Sequence, residues 1–306
     1  MDKDFLSIDD LETEELAEIL ELSAKVKASP GDHSGRLAGK AVALIFEKPS
    51  TRTRVSFEVA VSSLGGHPLA LSSTELQLGR GETIEDTGRV LSRYVDAIVL
   101  RTFGQERVEA LAAAATVPVI NALSDYEHPC QTLADLLAVQ EKKGDLSGRT
   151  FTYLGDGNNV AHSLLLGGAK SGMRMRIATP AGYEPIPLVV RRSEEIARET
   201  GGSVEITNDP QAAATGADVL YTDVWASMGQ EAEASERTLV FAPYKLDQGA
   251  VDRAADDVIV LHCLPAHRGE EITDEVIDGP HSVVWDQAEN RLHTQKALLL
   301  RLLGAG

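Results

Sequence analysis

The chain has 306 residues and a strongly acidic composition, with 29 lysine and arginine residues against 47 aspartate and glutamate residues and a net charge of −18. A mean field of this sign repels polyanions, so the composition disfavours DNA, RNA and anionic membrane surfaces as partners. The length allows two domains of ordinary size.

The cysteine content and the amino terminus indicate where the protein is found. Cys130 and Cys263 are the only cysteines, too few for a disulfide framework, which favours a reducing compartment. The amino-terminal sequence MDKDFLSIDDLETEEL is acidic and lacks the basic region and apolar core of a signal peptide. No apolar run approaches the roughly 20 residues that a membrane helix requires. We therefore expect a cytoplasmic protein with no membrane partner.

The first half of the chain alternates between helical and strand patterns. An amphipathic helix is predicted from Leu11 to Lys27. Strands are then predicted at KAVALIF, HPLALS, DAIVLR and VPVINAL, and helices at RVSFEVAVSSLGG, TIEDTGRVLSRY, QERVEALAAAA and QTLADLLAVQEKK. This alternation predicts a parallel sheet covered by helices on both faces.

A second series of the same kind follows a polar, glycine-containing break at KKGDLSGRT. Its predicted strands are TFTYLG, MRIAT, SVEIT, DVLYTDVW, VIVLHCLP and SVVWDQ, and the chain closes with a helix at AENRLHTQKALLLRLL. We therefore predict an α/β fold of two domains, each a parallel sheet flanked by helices. The boundaries are residues 1–145 and 146–287, and the final helix, 288–306, is expected to pack back on the first domain.

The segment EKPSTRTR, which follows the first predicted strand, indicates a phosphate site. Ligands of open parallel sheets collect beyond the carboxyl ends of the strands. Ser50 is suited to cap the next helix, whose free N–H groups would face an anion. Arg52 and Arg54 add guanidinium groups whose geometry matches phosphate oxygens. The alternative is a capped helix that carries two solvated arginines.

Two further strand ends are unusually polar. Arg101 ends the strand DAIVLR, and His128 and Gln131 follow the strand VPVINAL. A histidine before a proline is by itself more typical of a structural turn. The repetition of polar side chains at three neighbouring strand ends favours a shared binding site.

The segment TYLGDGNNVAHSLL partly matches a dinucleotide-binding fingerprint. Gly155 and Gly157 follow a predicted strand, but Val160 stands where the third glycine belongs, and no acidic residue follows at the ribose-binding distance. The match therefore disfavours a nucleotide cofactor. Asn158 and Asn159 instead offer amide groups suited to a carboxylate or an amine.

The segment VLHCLPAHRGEE contains three possible metal ligands, His262, Cys263 and His267. A second nearby cysteine and a further ligand pair at metal spacing are both missing from the sequence. We therefore expect neither a metal nor any other cofactor, and a cysteine at a strand end is more simply a buried thiol or a substrate contact.

Five motifs, taken together, resemble the ornithine carbamoyltransferases. They are STRTR at 50–54, HPCQ at 128–131, DVWASMG at 223–229, HCLP at 262–265 and ENRLH at 289–293. The likeness runs through almost the whole chain in order. The first two motifs are shared by carbamoyltransferases in general. SMG and HCLP are the specific ones, because the enzymes for aspartate, acetylated or succinylated ornithine and putrescine depart from these patterns.

The resemblance implies a carbamoyl phosphate site, with Arg101, His128 and Cys263 as the catalytic residues. Gln77 matches a loop that reaches into the neighbouring subunit's site, which implies a homo-oligomer, a trimer in the family. The implied carbamoyl phosphate contacts are Ser50, Thr51, Arg52, Thr53, Gln77, Arg101, His128, Pro129, Cys130, Gln131, Cys263, Leu264 and Arg291.

The resemblance also implies an ornithine site, formed by Asn159, Asp223, Ser227 and Met228, and an active site in the cleft between the domains. Asn158 could assist, and the sequence does not separate the two asparagines. The implied reaction transfers the carbamoyl group of carbamoyl phosphate to the δ-amino group of ornithine, giving citrulline and phosphate in arginine metabolism.

Three alternatives stay open at this point. The first is a carbamoyltransferase for a related amine such as acetylornithine or putrescine. The second is a nucleotide-dependent oxidoreductase, which the missing third glycine opposes. The third is a silent regulatory or assembly protein of the same shape, which would be expected to have lost Arg52 or Cys263.

Overall fold

The protein is described here by a computed structural model, which covers residues 3–72, 78, 81–226 and 234–304. It divides into two compact units. The first unit extends to Ala134 and resumes at Asn290, and the second unit comprises Asp135–Glu289. The chain therefore changes units inside two helices, α5 (Pro129–Lys143) and α12 (Val284–Leu302).

The first unit contains a parallel sheet of four strands in the order β2-β1-β3-β4. The strands are β1 (Ala41–Phe46), β2 (His67–Ser72), β3 (Ala97–Arg101) and β4 (Val119–Leu123). The helices that precede or connect them are α1 (Thr13–Ala28), α2 (Thr51–Ser63), α3 (Ile84–Leu91) and α4 (Gln105–Ala114). A core on one face of the sheet joins Ile45, Ile98 and Leu100 to Val108 and Leu111 of α4.

The second unit contains a parallel sheet of five strands in the order β7-β6-β5-β8-β9. The strands are β5 (Thr150–Leu154), β6 (Arg174–Ala178), β7 (Ser203–Thr207), β8 (Val219–Thr222) and β9 (Ile259–His262). The helices are α6 (Asn159–Lys170), α7 (Pro187–Thr200), α8 (Pro210–Ala214), α9 (Ala234–Phe241), α10 (Gln248–Val251) and α11 (Asp274–Ile277). The predicted α/β fold of two parallel sheets flanked by helices is confirmed.

Each sheet has a topological switch point. At this point, two neighbouring strands are followed by connections that run in opposite directions along the sheet. In the first unit β1 lies between β2 and β3, and Phe46 is in register with Arg101. In the second unit β5 lies between β6 and β8, and Leu154 is in register with Thr222. Ligands of open parallel sheets bind at such points, so the segments after these four residues are the first places to look for a site.

One predicted strand, SVVWDQ, is wrong. A single bridge joins Ser282 to Val260, and α12 begins at Val284. Valine and tryptophan favour strands only weakly, and packing overrides that preference. In α12, Val284, Gln287 and Asn290 are fully buried, which is the helical spacing of one buried face.

Among the described residues, no helix is both long enough and apolar enough to cross a bilayer.

Candidate active site

The start of α2 has the features of an anion-binding helix end. Ser50 is its N-cap, and the Ser50 side chain accepts a hydrogen bond of 3.3 Å from the Thr53 backbone N–H. The predicted cap is therefore confirmed. Thr51 and Arg52 occupy the first turn and are exposed. This turn carries no acidic residue, so the positive end of the helix dipole is not neutralised from within the helix.

The two arginines of this segment differ in their surroundings. Arg54 Nε lies 2.9 Å from Glu58 Oε1, one helical turn further along the exposed face of α2. Arg54 is therefore engaged in a surface ion pair, which favours Arg52 over Arg54 as the candidate for the predicted phosphate contact.

A buried polar cluster brings together three of the predicted carbamoyl phosphate residues. Arg291, on α12, donates to Gln131 Oε1 at 2.6 Å and to Thr53 Oγ1 at 3.2 Å. All three side chains are at most 5% exposed. Both of these acceptors are neutral, so these two contacts hold the guanidinium in place without cancelling its charge.

His128 lies in the turn between β4 and α5 and is buried. Burial lowers its pKa well below the ordinary value of 6.5, and the positive charges of Arg291, Arg101 and Arg52 lower it further. The imidazole is therefore neutral near pH 7 and offers one N–H donor. The same interactions indicate that the three arginines are close enough to His128 to act on it electrostatically.

The lowered pKa of His128 predicts a specific pH dependence of stability. An unfolded histidine titrates near pH 6.5, so between the folded pKa and about 6.5 the unfolded chain binds more protons than the folded one. The free energy of unfolding should therefore fall as pH drops through this window. In His128→Gln, we expect the free energy of unfolding to fall less between about pH 7 and about pH 5.5 than it does in the wild-type protein. Urea unfolding at the two pH values measures this difference. Equal pH dependence in the two proteins would show that His128 is not held in its neutral form.

Two acidic residues that follow strands of this sheet have basic partners. Glu47 pairs with Arg107 through two contacts, Oε1–Nη2 at 2.5 Å and Oε2–Nε at 3.0 Å. Asp125 pairs with the buried Lys48 at 2.5 Å. These two acids are therefore neutralised by Arg107 and Lys48. Arg101 ends β3, and its positive charge acts on His128.

Two residues of the HPCQ motif have structural surroundings. Pro129 is the first residue of α5, where a proline's missing N–H is not needed. The Cys130 thiol donates to the Asn121 carbonyl at 3.4 Å, and burial raises its pKa to about 12. Cys130 is therefore an uncharged thiol that packs α5 against β4.

In the second unit, Asp223 is the centre of the polar groups at the strand ends. It directly follows β8 and is 6% exposed. Asp223 Oδ1 accepts from the Cys263 thiol and from the Val224 backbone N–H, both at 2.8 Å. Asp223 Oδ2 accepts from Asn158 Nδ2 at 3.0 Å. These contacts fix the orientation of the carboxylate.

The structure distinguishes the two asparagines that the sequence could not separate. Asn158 is the N-cap of α6, and its Oδ1 accepts from the backbone N–H groups of Val160 and Ala161 at 2.9 and 3.2 Å. Its other end holds Asp223. Asn159 is the first residue of α6 and is half-buried.

Gly155 and Gly157, between β5 and α6, are required by the backbone conformation and by close packing. Gly155 has a φ of +145°, which other residues rarely adopt. A side chain at Gly157 would lie 2.3 Å from the backbone nitrogen of Pro185. Close backbone approach therefore explains the partial match to a dinucleotide fingerprint.

Cys263 is a protonated thiol. Burial raises its pKa well above the ordinary value of 9, and the Asp223 carboxylate raises it further. A thiol of this kind is a poor nucleophile. It therefore acts here as a hydrogen-bond donor to Asp223.

The backbone around Cys263 is held by its neighbours. The Leu264 N–H donates to His262 Nδ1 at 2.8 Å, which assigns the ring proton to Nε2, and Nε2 lies 3.1 Å from Glu271 Oε1. Leu264 has a φ of +59°, a conformation that costs a non-glycine residue about 1–2 kcal/mol. Backbone strain of this kind concentrates at functional sites.

One ion pair at these strand ends was not anticipated from the sequence. Arg237, on α9, donates to Asp156 Oδ2 and to the Trp225 carbonyl, both at 2.8 Å, and its guanidinium lies 5.0 Å from the Tyr183 ring. It thereby ties the segment after β5 to the segment after β8. Only the strand-end position of Asp156 could have pointed to this pair.

Three predicted site residues, Gln77, Ser227 and Met228, lie outside the described residues.

Two family models match the chain in succession. The carbamoyl-P binding domain of aspartate/ornithine carbamoyltransferase matches residues 3–141. The Asp/Orn binding domain of the same family matches residues 147–302. Together they cover most of the chain.

Individual relatives extend this likeness over nearly the full length. The chain is 62% identical to an ornithine carbamoyltransferase of Parafrankia sp. (strain EAN1pec) over 302 residues, 98% of this chain and 95% of the relative. It is 56% identical to an anabolic ornithine carbamoyltransferase of Pyrococcus furiosus over 304 residues, 99% of this chain and 96% of the relative. A solved structure of the Pyrococcus furiosus ornithine carbamoyltransferase matches with a TM-score of 0.95 at 56% identity, covering 98% of this chain and 97% of that one. The chain therefore belongs to the aspartate/ornithine carbamoyltransferase family and, within it, to the ornithine carbamoyltransferases.

Proposed function

We propose that this protein transfers the carbamoyl group of carbamoyl phosphate to the δ-amino group of L-ornithine, giving L-citrulline and phosphate. The observation that carries the proposal is the contact of 2.8 Å between Cys263 and Asp223. It joins the HCLP motif to the start of the DVWASMG motif, and these are the two motifs that distinguish ornithine enzymes within the family.

Carbamoyl phosphate binds to the first unit in this proposal. Its phosphate lies at the start of α2, where Ser50, Thr51, Arg52 and Thr53 and the uncompensated helix end favour a dianion. Arg291 adds a second guanidinium, already oriented by Thr53 and Gln131. A preorganised cluster of this kind is what allows a strongly acidic chain to bind a small anion.

The carbamoyl oxygen is bound by neutral and cationic donors. Neutral His128 and Arg101 each supply N–H groups. The Thr53 hydroxyl accepts from Arg291, which leaves its own hydrogen free to donate. When the amine attacks, these groups stabilise the negative charge that develops on the oxygen.

Ornithine binds to the second unit in this proposal, with its α-ammonium group at Asp223. Asn159 contributes a donor for the α-carboxylate, and Ser227 and Met228 complete the contacts by resemblance to the family. Cys263 and Leu264 lie beside the reacting centre. The raised pKa of the Cys263 thiol keeps it from acting as a nucleophile, so no covalent enzyme intermediate is formed.

The reaction itself needs few steps from the protein. The neutral δ-amino nitrogen attacks the carbamoyl carbon and forms a C–N bond, which gives a tetrahedral oxyanion. The oxyanion then collapses, and the C–O bond to phosphate breaks. The departing phosphate accepts the proton that the nitrogen loses. The protein contributes mainly by positioning the reactants and by stabilising the charge on the oxygen.

The runner-up is a carbamoyltransferase for a related amine. Acetylornithine has no free α-ammonium group and would leave the buried Asp223 carboxylate without a cationic partner, which is costly. Putrescine has no carboxylate for Asn159.

The test is a carbamoylation assay with carbamoyl phosphate against ornithine, acetylornithine, putrescine and aspartate. We expect the highest kcat/KM with ornithine. A higher value with another amine would overturn the assigned substrate while leaving the family unchanged.

We also propose that the protein works in the biosynthetic direction and in the cytoplasm. The name of the Pyrococcus furiosus relative, which is called anabolic, supports the direction. Two free thiols, Cys130 and Cys263, support a reducing compartment.

A homotrimer is the assembly that we propose, with the Gln77 loop acting at the neighbouring subunit's site. The exposed face of α2 supports an interface. Val55 and Val59 lie one helical turn apart on this helix and are 51% and 44% exposed. Two exposed valines directly after an anion-binding helix end are well placed for burial against a second copy of the chain.

The combined variant Val55→Asp/Val59→Asp is expected to lower the oligomeric mass, because it would place two carboxylates in an apolar interface. Light scattering coupled to size-exclusion chromatography measures this directly. The control is Glu58→Gln, which alters the neighbouring polar position on the same helix. A trimer that survives the double substitution would exclude this face of α2 from the interface.

A further inference from the structure

We propose that His267, Glu270 and Glu271 form a binding site for a divalent transition-metal ion of the Zn²⁺ class. The site lies on the turn that follows the HCLP motif. The sequence led us to expect no metal, and it offered only His262, Cys263 and His267 as possible ligands. The structure instead groups His267 with the two glutamates.

The buried carboxylate of Glu271 carries this inference. Glu271 is fully buried. Its Oε1 accepts from the His267 backbone N–H at 2.5 Å and lies 3.1 Å from His262 Nε2. Its Oε2 is buried and has no hydrogen-bond partner among the described residues. A buried carboxylate oxygen without a partner is costly, and a cation would satisfy it.

The unsatisfied oxygen faces two further ligand atoms. Glu271 Oε2 lies 4.0 Å from His267 Nδ1, which lies 3.9 Å from Glu270 Oε2. Ligand atoms of the three residues all lie within 4.8 Å of one another. His267 and Glu270 have side chains that are each 52% exposed, so they can rotate onto an ion while Glu271 remains fixed.

The backbone of the turn holds the three ligands in this arrangement. The Glu270 N–H donates to the His267 carbonyl at 2.9 Å, and the Gly269 N–H donates to the Ile272 carbonyl at 2.8 Å. Gly269 has a φ of +89°, which glycine adopts without strain. The spacing His-x-x-Glu-Glu is therefore closed into one tight turn rather than extended.

Two basic side chains at this turn already have partners other than the two glutamates. Arg268 binds Asp274 at 2.7 Å and Asp278 at 2.5 Å. Lys245 donates to the Gly269 carbonyl at 2.5 Å. Arg268 therefore pairs with carboxylates outside the proposed site, and Lys245 binds a backbone carbonyl.

The ligand set selects the class of ion. One imidazole nitrogen and two carboxylate oxygens suit Zn²⁺, Co²⁺ and similar ions, whereas Mg²⁺ and Ca²⁺ prefer oxygen ligands alone. Zinc binds such ligands at about 2.0–2.2 Å, so tetrahedral ligand atoms lie about 3.4 Å apart. The two separations from His267 Nδ1, 3.9 and 4.0 Å, must therefore each close by about half an ångström. The fourth position is open to water.

A competing cluster must be excluded by the test. Asp223, His262 and Cys263 also have ligand atoms within 4.8 Å of one another. The two clusters differ in one chemical respect, because only the competing one contains a thiol. Cobalt bound to a thiolate shows a strong charge-transfer band in the near ultraviolet, and cobalt bound to nitrogen and oxygen alone does not.

The experiment titrates Co²⁺, and then Zn²⁺ by calorimetry, into the metal-free full-length protein. The variants are His267→Ala and Glu270→Gln, and the matched controls are His67→Ala and Glu275→Gln, two exposed positions. His267→Ala keeps the backbone N–H that binds Glu271, so the fold should be retained, as circular dichroism can check. Cys263→Ser removes the thiol from the competing cluster.

We expect one ion per chain, with no thiolate band and with unchanged affinity in Cys263→Ser and both controls. His267→Ala and Glu270→Gln should each weaken binding by at least tenfold. The proposal is overturned if the wild-type protein binds neither ion, if His267→Ala binds as the wild type does, or if a thiolate band appears and is lost with Cys263→Ser.

Discussion

Replacing Arg52 by alanine is expected to weaken carbamoyl phosphate binding by about 10- to 150-fold and to lower turnover with it. This range corresponds to the loss of a charge-assisted hydrogen bond to phosphate, about 1.5–3 kcal/mol. Arg52 lies in the exposed first turn of α2, and its charge contributes to the lowered pKa of His128. Arg52 therefore acts on the same imidazole as Arg101 and Arg291.

The matched control for this prediction is Arg54→Ala. Arg54 is two residues away on the same helix, but it pairs with Glu58 at 2.9 Å. An exposed pair of this kind is worth only about 0.3–0.5 kcal/mol, so carbamoyl phosphate affinity should not change. Calorimetric titration of carbamoyl phosphate into both variants measures the two affinities. Equal effects would mean that general positive charge, and not a specific contact, holds the phosphate.

The second large effect is expected for Asp223→Asn, which should weaken ornithine binding by about 10- to 150-fold and leave carbamoyl phosphate binding unchanged. The substitution removes the charge that pairs with an ammonium group, a loss of about 1.5–3 kcal/mol. It keeps the size of the side chain. Carbamoyl phosphate is titrated into the free variant, and the ornithine dependence of the rate is then measured at saturating carbamoyl phosphate.

A structural role for Asp223 must be separated from a substrate role. Asp223 Oδ1 also accepts from the Val224 N–H at 2.8 Å, so the variant could lose stability for that reason alone. Asp218→Asn is the control, because Asp218 accepts from Thr150 N–H and Arg149 at the opposite end of β8. The control should lose stability and keep both affinities. Normal ornithine dependence in a folded Asp223→Asn variant would remove Asp223 from the ornithine site.

Local sequence patterns were sufficient for most of the regular elements of this protein. The strand HPLALS coincides with β2, His67–Ser72, and Ser50 caps α2 as predicted. These features depend on neighbours within a few residues, namely a short apolar run bounded by polar residues and one hydroxyl that reaches the next turn. The alternation of strands and helices likewise determined the parallel sheets, because parallel strands require a crossover between them.

The motifs also located most of the candidate site, since residues at the carboxyl ends of parallel strands lie at one edge of a sheet. The start of α2 and Cys263 were found in this way, whereas Asp223 was found through the resemblance to the family. The motifs could not predict which side chain each of these residues contacts in the folded protein. Arg54 and Arg52 are equivalent in the sequence, and only the position of Glu58 on the folded helix separates them.

Long-range contacts were decided by the tertiary structure alone. Arg291 meets Thr53 across 238 residues and Gln131 across 160, and Asn158 meets Asp223 across 65. Such contacts depend on how whole elements pack, which no local pattern encodes. Packing also made a helix of VWDQ, where weak strand preferences lost to the burial of Val284 and Gln287 on one helical face.

The sequence by itself therefore determined the fold class, the family and the chemical character of each candidate residue, because these depend on residue type and local order. The tertiary structure decided which of those residues are charged, buried and paired. The neutral state of His128, the protonated thiol of Cys263 and the unsatisfied oxygen of Glu271 all arise from desolvation and from charges brought close by folding. Burial and distance set these properties, and both exist only once the chain is folded.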